Sequence, residues 1–222
     1  MTAAADDPEA ALARRLEVAR SAGVPEEPLR DWAERRRGQP FGIAGIVEPD
    51  RALLDGVRIE TDLGEWEAVE TPGHAPSHVC LWQPRHRLLI SGDHLLGRVS
   101  LYYDYGYTAD PAGEFLASLD RVQALDARLC LSGHGRTFGD VAGHIAANRE
   151  LVGRRIAALE RVLRDDGPLT AFEALPRVYD EPLTPMNTNW WLSETLCYLR
   201  HMQVSGRAAG DGATPERWSV AA

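Results

Sequence analysis

The sequence predicts an α/β domain followed by a small winged-helix-like module. Three observations support this. Between residues 42 and 133, six short β-type runs alternate with turn residues. A helical pattern then separates the last two of these runs, in the strand, helix, strand order of an α/β layer. After residue 140 the hydrophobic spacing becomes that of helices and ends in a glycine-rich ribbon.

Residues 1–38 predict a helical hairpin that lies outside the main domain. Asp7 is suited to cap a helix that has Pro8 at its first position. After an interruption at "SAGVPEE", a second short helix that contains Trp32 should end near Gly38. Both helices carry many charged residues, so we expect them to expose one face to solvent.

Residues 39–140 contain the predicted sheet. Asp110 followed by Pro111 marks the start of a helix in which Phe115, Leu119 and Val122 share one face. The predicted strands are "GIAGIVE", "VRIETDL", "EWEAVE", "HVCLWQP", "RLLISGD" and "ARLCLSG".

Residues 141–222 predict a long helix and the winged-helix-like module. Apolar residues from Ile145 to Leu163 recur at helical spacing, and Thr170 with Glu173 forms a capping-box pattern for a second helix. A third helix should begin near Asn189. The stretch "VSGRAAGDGATPERWSV" then predicts a two-stranded wing.

Composition excludes several classes of partner. The chain has 222 residues, 44% of them hydrophobic, with a formal net charge of -9. Residues 166–222 contain seven acidic and four basic residues, so nucleic acid is not an expected partner. No run approaches the roughly 20 apolar residues of a membrane span. We expect a cytoplasmic protein from a bacterium, with Cys80, Cys130 and Cys197 as buried free thiols rather than disulfides or metal ligands.

Three stretches share one pattern, an apolar strand that runs into a glycine and then into a metal-capable side chain. They are "EAVETPGH", "RLLISGD" and "RLCLSGH", which end at His74, Asp93 and His134. Ligands in α/β sheets are usually held at strand ends, and glycine lets the backbone turn sharply there. Two histidines and a carboxylate suit zinc, iron or manganese, so the sequence predicts a divalent metal site.

The stretches "TPGHAPSH", "SGDHL" and "LSGHG" resemble the third, fourth and fifth motifs of the metallo-β-lactamase fold superfamily. The resemblance covers about residues 40 to 140 and implies an αββα sandwich. The helical tail, with "NWWLSETLCYLRHM" as its main helix, is similar to that of hydrolases related to glyoxalase II and β-lactamase-like protein 2.

The resemblance also implies roles. His74 would bind a first metal ion, His134 a second, and Asp93 would bridge both, while His78 and His94 would support the site without binding metal. The implied reaction is hydrolysis of an ester, thioester, lactam or phosphodiester in a small-molecule substrate by a metal-bound hydroxide. The tyrosines of "GRVSLYYDYGYTADP" are candidates for either substrate contact or packing.

One superfamily motif, H-x-H-x-D-H, does not occur in this sequence. Without it each ion would keep two ligands, whereas catalytic zinc usually has three, so we expect weak metal binding and low activity. An N-terminally truncated hydrolase that lacks the first half of the fold would explain this, with residues 1–38 as a helical hairpin insertion and residues 39–140 as the C-terminal half of the fold. A non-catalytic binding or regulatory protein, or a metal site completed across a homodimer, are the alternatives. Exposed apolar sheet edges favour pairing with another chain.

Overall fold

A computed structural model describes residues 7–37, 49–103, 105–179, 181–184 and 187–221. The predicted strand "GIAGIVE" and Gly38 lie outside these ranges. The described helices are α1 Pro8–Ser21, α2 Glu26–Arg36, α3 Pro111–Ala124, α4 Val141–Asp166, α5 Ala171–Val178 and α6 Asn187–Val204. The strands are β1 Arg58–Thr61, β2 Gly64–Glu70, β3 Val79–Gln83, β4 Leu88–Gly92, β5 Leu129–Ser132, β6 Ala208–Gly210 and β7 Trp218–Val220.

Helices α1 and α2 form the predicted hairpin. An Asp7 carboxylate oxygen accepts the Ala10 N–H at 2.9 Å, so Asp7 caps α1 as expected. The turn that follows packs on the C-terminal part of the chain, because the Phe172 N–H donates to the Ala22 carbonyl at 2.9 Å. Gly23 has a φ of +87°, and a Cβ there would lie 2.5 Å from Thr170 Oγ1. The hairpin is therefore anchored at the start of α5, far from it in sequence.

The main sheet has the order β1-β2-β3-β4-β5. Strands β1 to β4 pair antiparallel, and α3 connects β4 to β5, which pairs parallel to β4. The chain is thus α/β with a mixed sheet. Phe115, Leu119 and Val122, the residues predicted to share a face of α3, are buried in one core with residues of the strands β2 to β5. The strand residues of this core are Val69, Cys80, Trp82, Leu89 and Cys130.

The predicted C-terminal elements are present. Ile145, Val152, Ile156, Leu159 and Leu163 of α4 are all buried. Thr170 and Glu173 make both bonds of the capping box that begins α5. Helix α6 begins at residue 187, two residues before the expected start, and β6 and β7 pair antiparallel.

The surface, the thiols and the helices add three findings. Cys80, Cys130 and Cys197 are free and buried, as predicted. Leu53, Leu54, Leu63 and Ile90, which lie on or beside the sheet, are exposed. Among the described helices, none combines the length and the apolar character needed to cross a membrane.

Candidate metal centre

His74, Asp93 and His134 meet at one edge of the sheet, as the sequence predicted. They follow β2, β4 and β5, respectively. Because β2 and β4 are both antiparallel to β3, they run in the same direction, and β5 is parallel to β4. The carboxyl ends of the three strands therefore lie at the same edge.

Asp93 lies between the two histidines. Its Oδ2 is 3.5 Å from His74 Nε2, and its Oδ1 is 3.5 Å from His134 Nε2. These distances are long for hydrogen bonds. They are close to the separation of about 3.3 Å expected for two ligands on tetrahedral zinc, because zinc lies about 2.0–2.1 Å from each ligand. The geometry of each pair thus fits a shared metal ion.

The ligand count is a separate matter from the distances. In the part of the chain that the structure describes, no group of three or more histidine, cysteine, aspartate or glutamate side chains is arranged to hold a metal ion. The trio consists of two pairs that share Asp93. The His134 side chain is 77% exposed, against 26% for His74, so the His134 side of the centre is open to solvent.

Glycine allows the strand ends to approach this closely. A Cβ on Gly133 would lie 2.6 Å from Asp93 Oδ1, and the Gly133 N–H donates to the Gly92 carbonyl at 2.8 Å. Gly73 has a φ of +134°, and a Cβ there would lie 2.5 Å from Phe115 Cβ. A side chain at Gly133 would therefore displace Asp93, and a side chain at Gly73 would displace Phe115.

His78 contacts the backbone of Asp93. Its Nε2 accepts the Asp93 N–H at 3.2 Å, so the ring proton lies on Nδ1, which donates to Thr71 Oγ1 at 2.8 Å. Burial, followed by the nearby His74, lowers the pKa of His78 and keeps its ring neutral. A Cβ on Gly92 would lie 2.8 Å from the same Nε2.

His94 lies deeper than His78. It is 2% exposed, its ring centroid is 5.1 Å from that of Phe115 and 6.2 Å from that of His78, and burial lowers its pKa to about 3. Neither of its ring nitrogens has a hydrogen-bond partner among the described residues. It is a neutral packing group beneath His78.

An open pocket of about 290 Å³ adjoins the trio. Besides the trio it is lined by Leu96, Ser100, Leu101, Tyr102 and Trp190. Of the candidate rim tyrosines, Tyr102 is the one that lines this pocket, with its ring centroid 5.5 Å from that of His74. Tyr103 is fully buried, Tyr105 accepts a hydrogen bond from Arg200, and Tyr107 is 63% exposed.

Two residues near the centre were not predicted. Trp190 comes from α6, far along the chain, and the adjacent tryptophans of "NWWLSETLCYLRHM" were its sequence signal. His144, on α4, places its Nε2 2.6 Å from the Leu96 carbonyl and stacks on Phe138. His144 therefore holds the segment that follows Asp93, and the sequence around it contains no signal for that contact.

Comparison with known proteins connects this geometry to a family. The model of the metallo-beta-lactamase superfamily matches residues 10–134. A beta-lactamase-like protein 2 homolog of Caenorhabditis elegans is 26% identical over 61% of this chain and 44% of its own length. A probable metallo-hydrolase of Bacillus subtilis is 29% identical over 72% of this chain and 52% of its own. An atrochrysone carboxyl ACP thioesterase of Aspergillus terreus is 24% identical over 72% and 50%. The chain thus spans about half the length of these curated relatives.

Solved structures share the fold. A metallo-beta-lactamase family protein of Thermus thermophilus superposes with a TM-score of 0.75 at 27% identity and covers 98% of this chain and 67% of its own. A beta-lactamase domain protein of Burkholderia ambifaria gives a TM-score of 0.76 at 23% identity, with 93% and 61% covered.

Proposed function

Because the chain belongs to the metallo-beta-lactamase superfamily, we propose that it forms part of a metal-dependent hydrolase that cleaves an ester, thioester or related bond in a small molecule. The observation that carries this proposal is the position of Asp93, whose two carboxylate oxygens each face a different imidazole nitrogen at 3.5 Å. His74, Asp93 and His134 would hold zinc, iron or manganese.

A bound divalent ion would lower the pKa of a water molecule bound to it and would polarise the scissile carbonyl. The residues of this chain would hold the ions and orient the side chains that bind them. Asp93 would contribute one oxygen to each ion, and His78 fixes the backbone of Asp93 by accepting its N–H. His94 fills the space beneath His78 with a neutral ring. The role of both residues is to orient the ligands, because such supporting contacts tune metal affinity.

The shortfall in ligands leads to a second part of the proposal. Two ligands per ion bind metal weakly, so we expect low activity from this chain alone. We propose that an H-x-H-x-D-H segment of a longer parent protein completes the centre, which makes residues 39–140 the C-terminal half of the sandwich and the hairpin at 1–38 an insertion. An in-frame stretch that encodes this motif upstream of Met1 would support the proposal, and absence of such a stretch would count against it.

The C-terminal elements suggest how the pocket is closed. We propose that residues 141–222 form a long helix plus a winged-helix-like module that covers the mouth of the site. The order of α4, α5 and α6 followed by the β6-β7 ribbon, with Trp190 of α6 at the pocket, supports this assignment. We further propose a cytoplasmic bacterial protein that pairs as a homodimer through the exposed apolar residues beside the sheet.

Metal titration tests the metal centre directly. Calorimetric titration of the purified chain with zinc should show weak binding that is lost in Asp93→Ala and in His74→Ala. His86→Ala, in the turn between β3 and β4, is the matched control and should bind zinc like the parent. Equal zinc binding by Asp93→Ala and the parent would refute the proposed ligands.

Activity requires the completed centre. We would add a polypeptide that contains H-x-H-x-D-H, taken from a full-length relative, to the zinc-loaded chain. The mixture should hydrolyse a p-nitrophenyl ester, and a metal chelator should abolish this hydrolysis. If the mixture binds zinc but does not hydrolyse the ester, the enzymatic proposal is contradicted. It would favour the alternative of a non-catalytic binding or regulatory protein, which the two-ligand arrangement also supports.

A further inference from the structure

The pocket beside the trio has an apolar wall. Leu96, Leu101, Tyr102 and Trp190 form this wall, and Ser100 is the remaining neutral polar residue among the described residues that line it. The charged or imidazole groups of that lining are the three members of the trio themselves. The part of the pocket next to the reacting centre is thus built to contact an uncharged, apolar group.

Two aromatic side chains of the wall are open to solvent. Trp190 is 54% exposed and Tyr102 is 36% exposed. The five other tryptophans of the chain are buried or half-buried, so Trp190 is the exception. Contact with an apolar ligand would remove this aromatic surface from water, which is favourable.

The two segments of the chain that carry the wall are joined by a hydrogen bond. The Ser193 hydroxyl donates to the Tyr103 carbonyl at 2.9 Å, which joins the start of α6 to the segment that contains Leu101 and Tyr102. Tyr103 is fully buried, with its ring centroid 5.8 Å from that of Tyr198. A preformed wall of this kind loses little conformational entropy on binding.

We infer that the substrate of this site is an ester or thioester with an apolar acyl chain, which packs against Trp190 and Tyr102 while its carbonyl lies at Asp93. This inference rests on the proposed function. In the reaction, water adds to the carbonyl carbon, and the carbon–oxygen or carbon–sulfur bond breaks. The products are a carboxylic acid and an alcohol or thiol. A nucleic-acid phosphodiester fits the wall poorly, because no arginine is among the described residues that line the pocket.

Binding of non-reactive amides tests the inference without any need for catalysis. Butanamide, hexanamide and octanamide would be titrated into the zinc-loaded chain by calorimetry. Affinity should rise about twofold to fourfold per methylene group, as expected for burial of apolar surface. Trp190→Ala should weaken octanamide binding about tenfold and flatten the dependence on chain length. Trp190→Phe should retain that dependence.

Val204→Ala is the matched control, because Val204 is an exposed apolar residue of the same helix and is not part of the pocket lining. It should bind all three amides like the parent, and circular dichroism should show that each variant is folded.

The outcomes separate the inference from the proposed function. Equal affinity for butanamide and octanamide, or unchanged binding by Trp190→Ala, would overturn the inference even if the completed centre hydrolyses esters. Tighter binding of a dinucleotide than of octanamide would also overturn it. A clear chain-length dependence, with no hydrolysis of an octanoyl ester by the completed centre, would support the apolar site and refute the hydrolase proposal alone.

Discussion

Replacement of Gly133 by alanine should damage the candidate metal centre and the fold together. The new Cβ would lie 2.6 Å from Asp93 Oδ1 and 3.0 Å from the carbonyl of Gly92. Ordinary van der Waals contact begins near 3.4 Å, so the Asp93 oxygen would have to move by about 0.8 Å. Metal–ligand distances in a well-formed site lie within about 0.2 Å of their usual values, so a shift of this size would disturb any bond from Asp93 to a metal ion. The backbone of Gly92 cannot rotate away as a side chain can.

The expected magnitude follows from these contacts. Overpacking of this kind costs about 1–3 kcal/mol of unfolding free energy. Zinc affinity should fall at least about tenfold, the lower end of the effect seen when a contact that orients a metal ligand is lost. Urea denaturation of the metal-free protein measures the first quantity, and zinc titration measures the second.

Gly153→Ala is the matched control for this substitution. Gly153 lies within α4, and a Cβ there would have no heavy atom within 4 Å. Alanine at a helical position without a clash should stabilise the protein by about 0.5–1 kcal/mol and leave zinc binding unchanged. If Gly133→Ala matched Gly153→Ala in both assays, the proposed crowding around Asp93 would be wrong.

Three further substitutions test the wider structure. Burial raises the pKa of the Glu194 carboxyl above its usual value of 4.5, so above pH 4.5 the folded chain binds a proton that the unfolded chain releases. The contribution of Glu194 to stability is therefore full below pH 4.5 and is lost as the pH rises through the folded pKa. Glu194→Gln should therefore flatten the fall in Tm as the pH rises above 4.5, and the exposed control Glu150→Gln should not. Thr170→Ala should cost about 1–2 kcal/mol in urea denaturation by removing the cap of α5, whereas Thr170→Ser should retain most of it; equal loss in both would refute the capping role. Leu159→Ala, at a fully buried position of α4, should cost about 2–5 kcal/mol, and a smaller loss would show that the core collapses around the cavity.

Much of the fold could be predicted because its signals are local. Asp7, Asp110 and Thr170 each cap a helix where the sequence predicted, since a cap depends on a side chain and the backbone within three residues of it. The burial of α4 followed from its hydrophobic spacing in the same way.

The convergence of the three candidate ligands was also predictable in part. Three strands that each end in glycine and a ligand were expected to meet, and the shared direction of β2, β4 and β5 brings His74, Asp93 and His134 together. The expectation of two ligands per ion came from the family resemblance, through the missing H-x-H-x-D-H motif, and stays a prediction.

The sequence by itself therefore determined the starts of α1, α3 and α5, the ends of β2, β4 and β5 and the identity of the candidate ligands, because each depends on interactions within a few residues. The tertiary structure alone decided that His78 accepts the Asp93 N–H, that the N-terminal hairpin packs on α5, and that Trp190 reaches the pocket. Those contacts join residues far apart in the chain. Packing in three dimensions selects the partners, and hydrophobic spacing along the chain does not specify them.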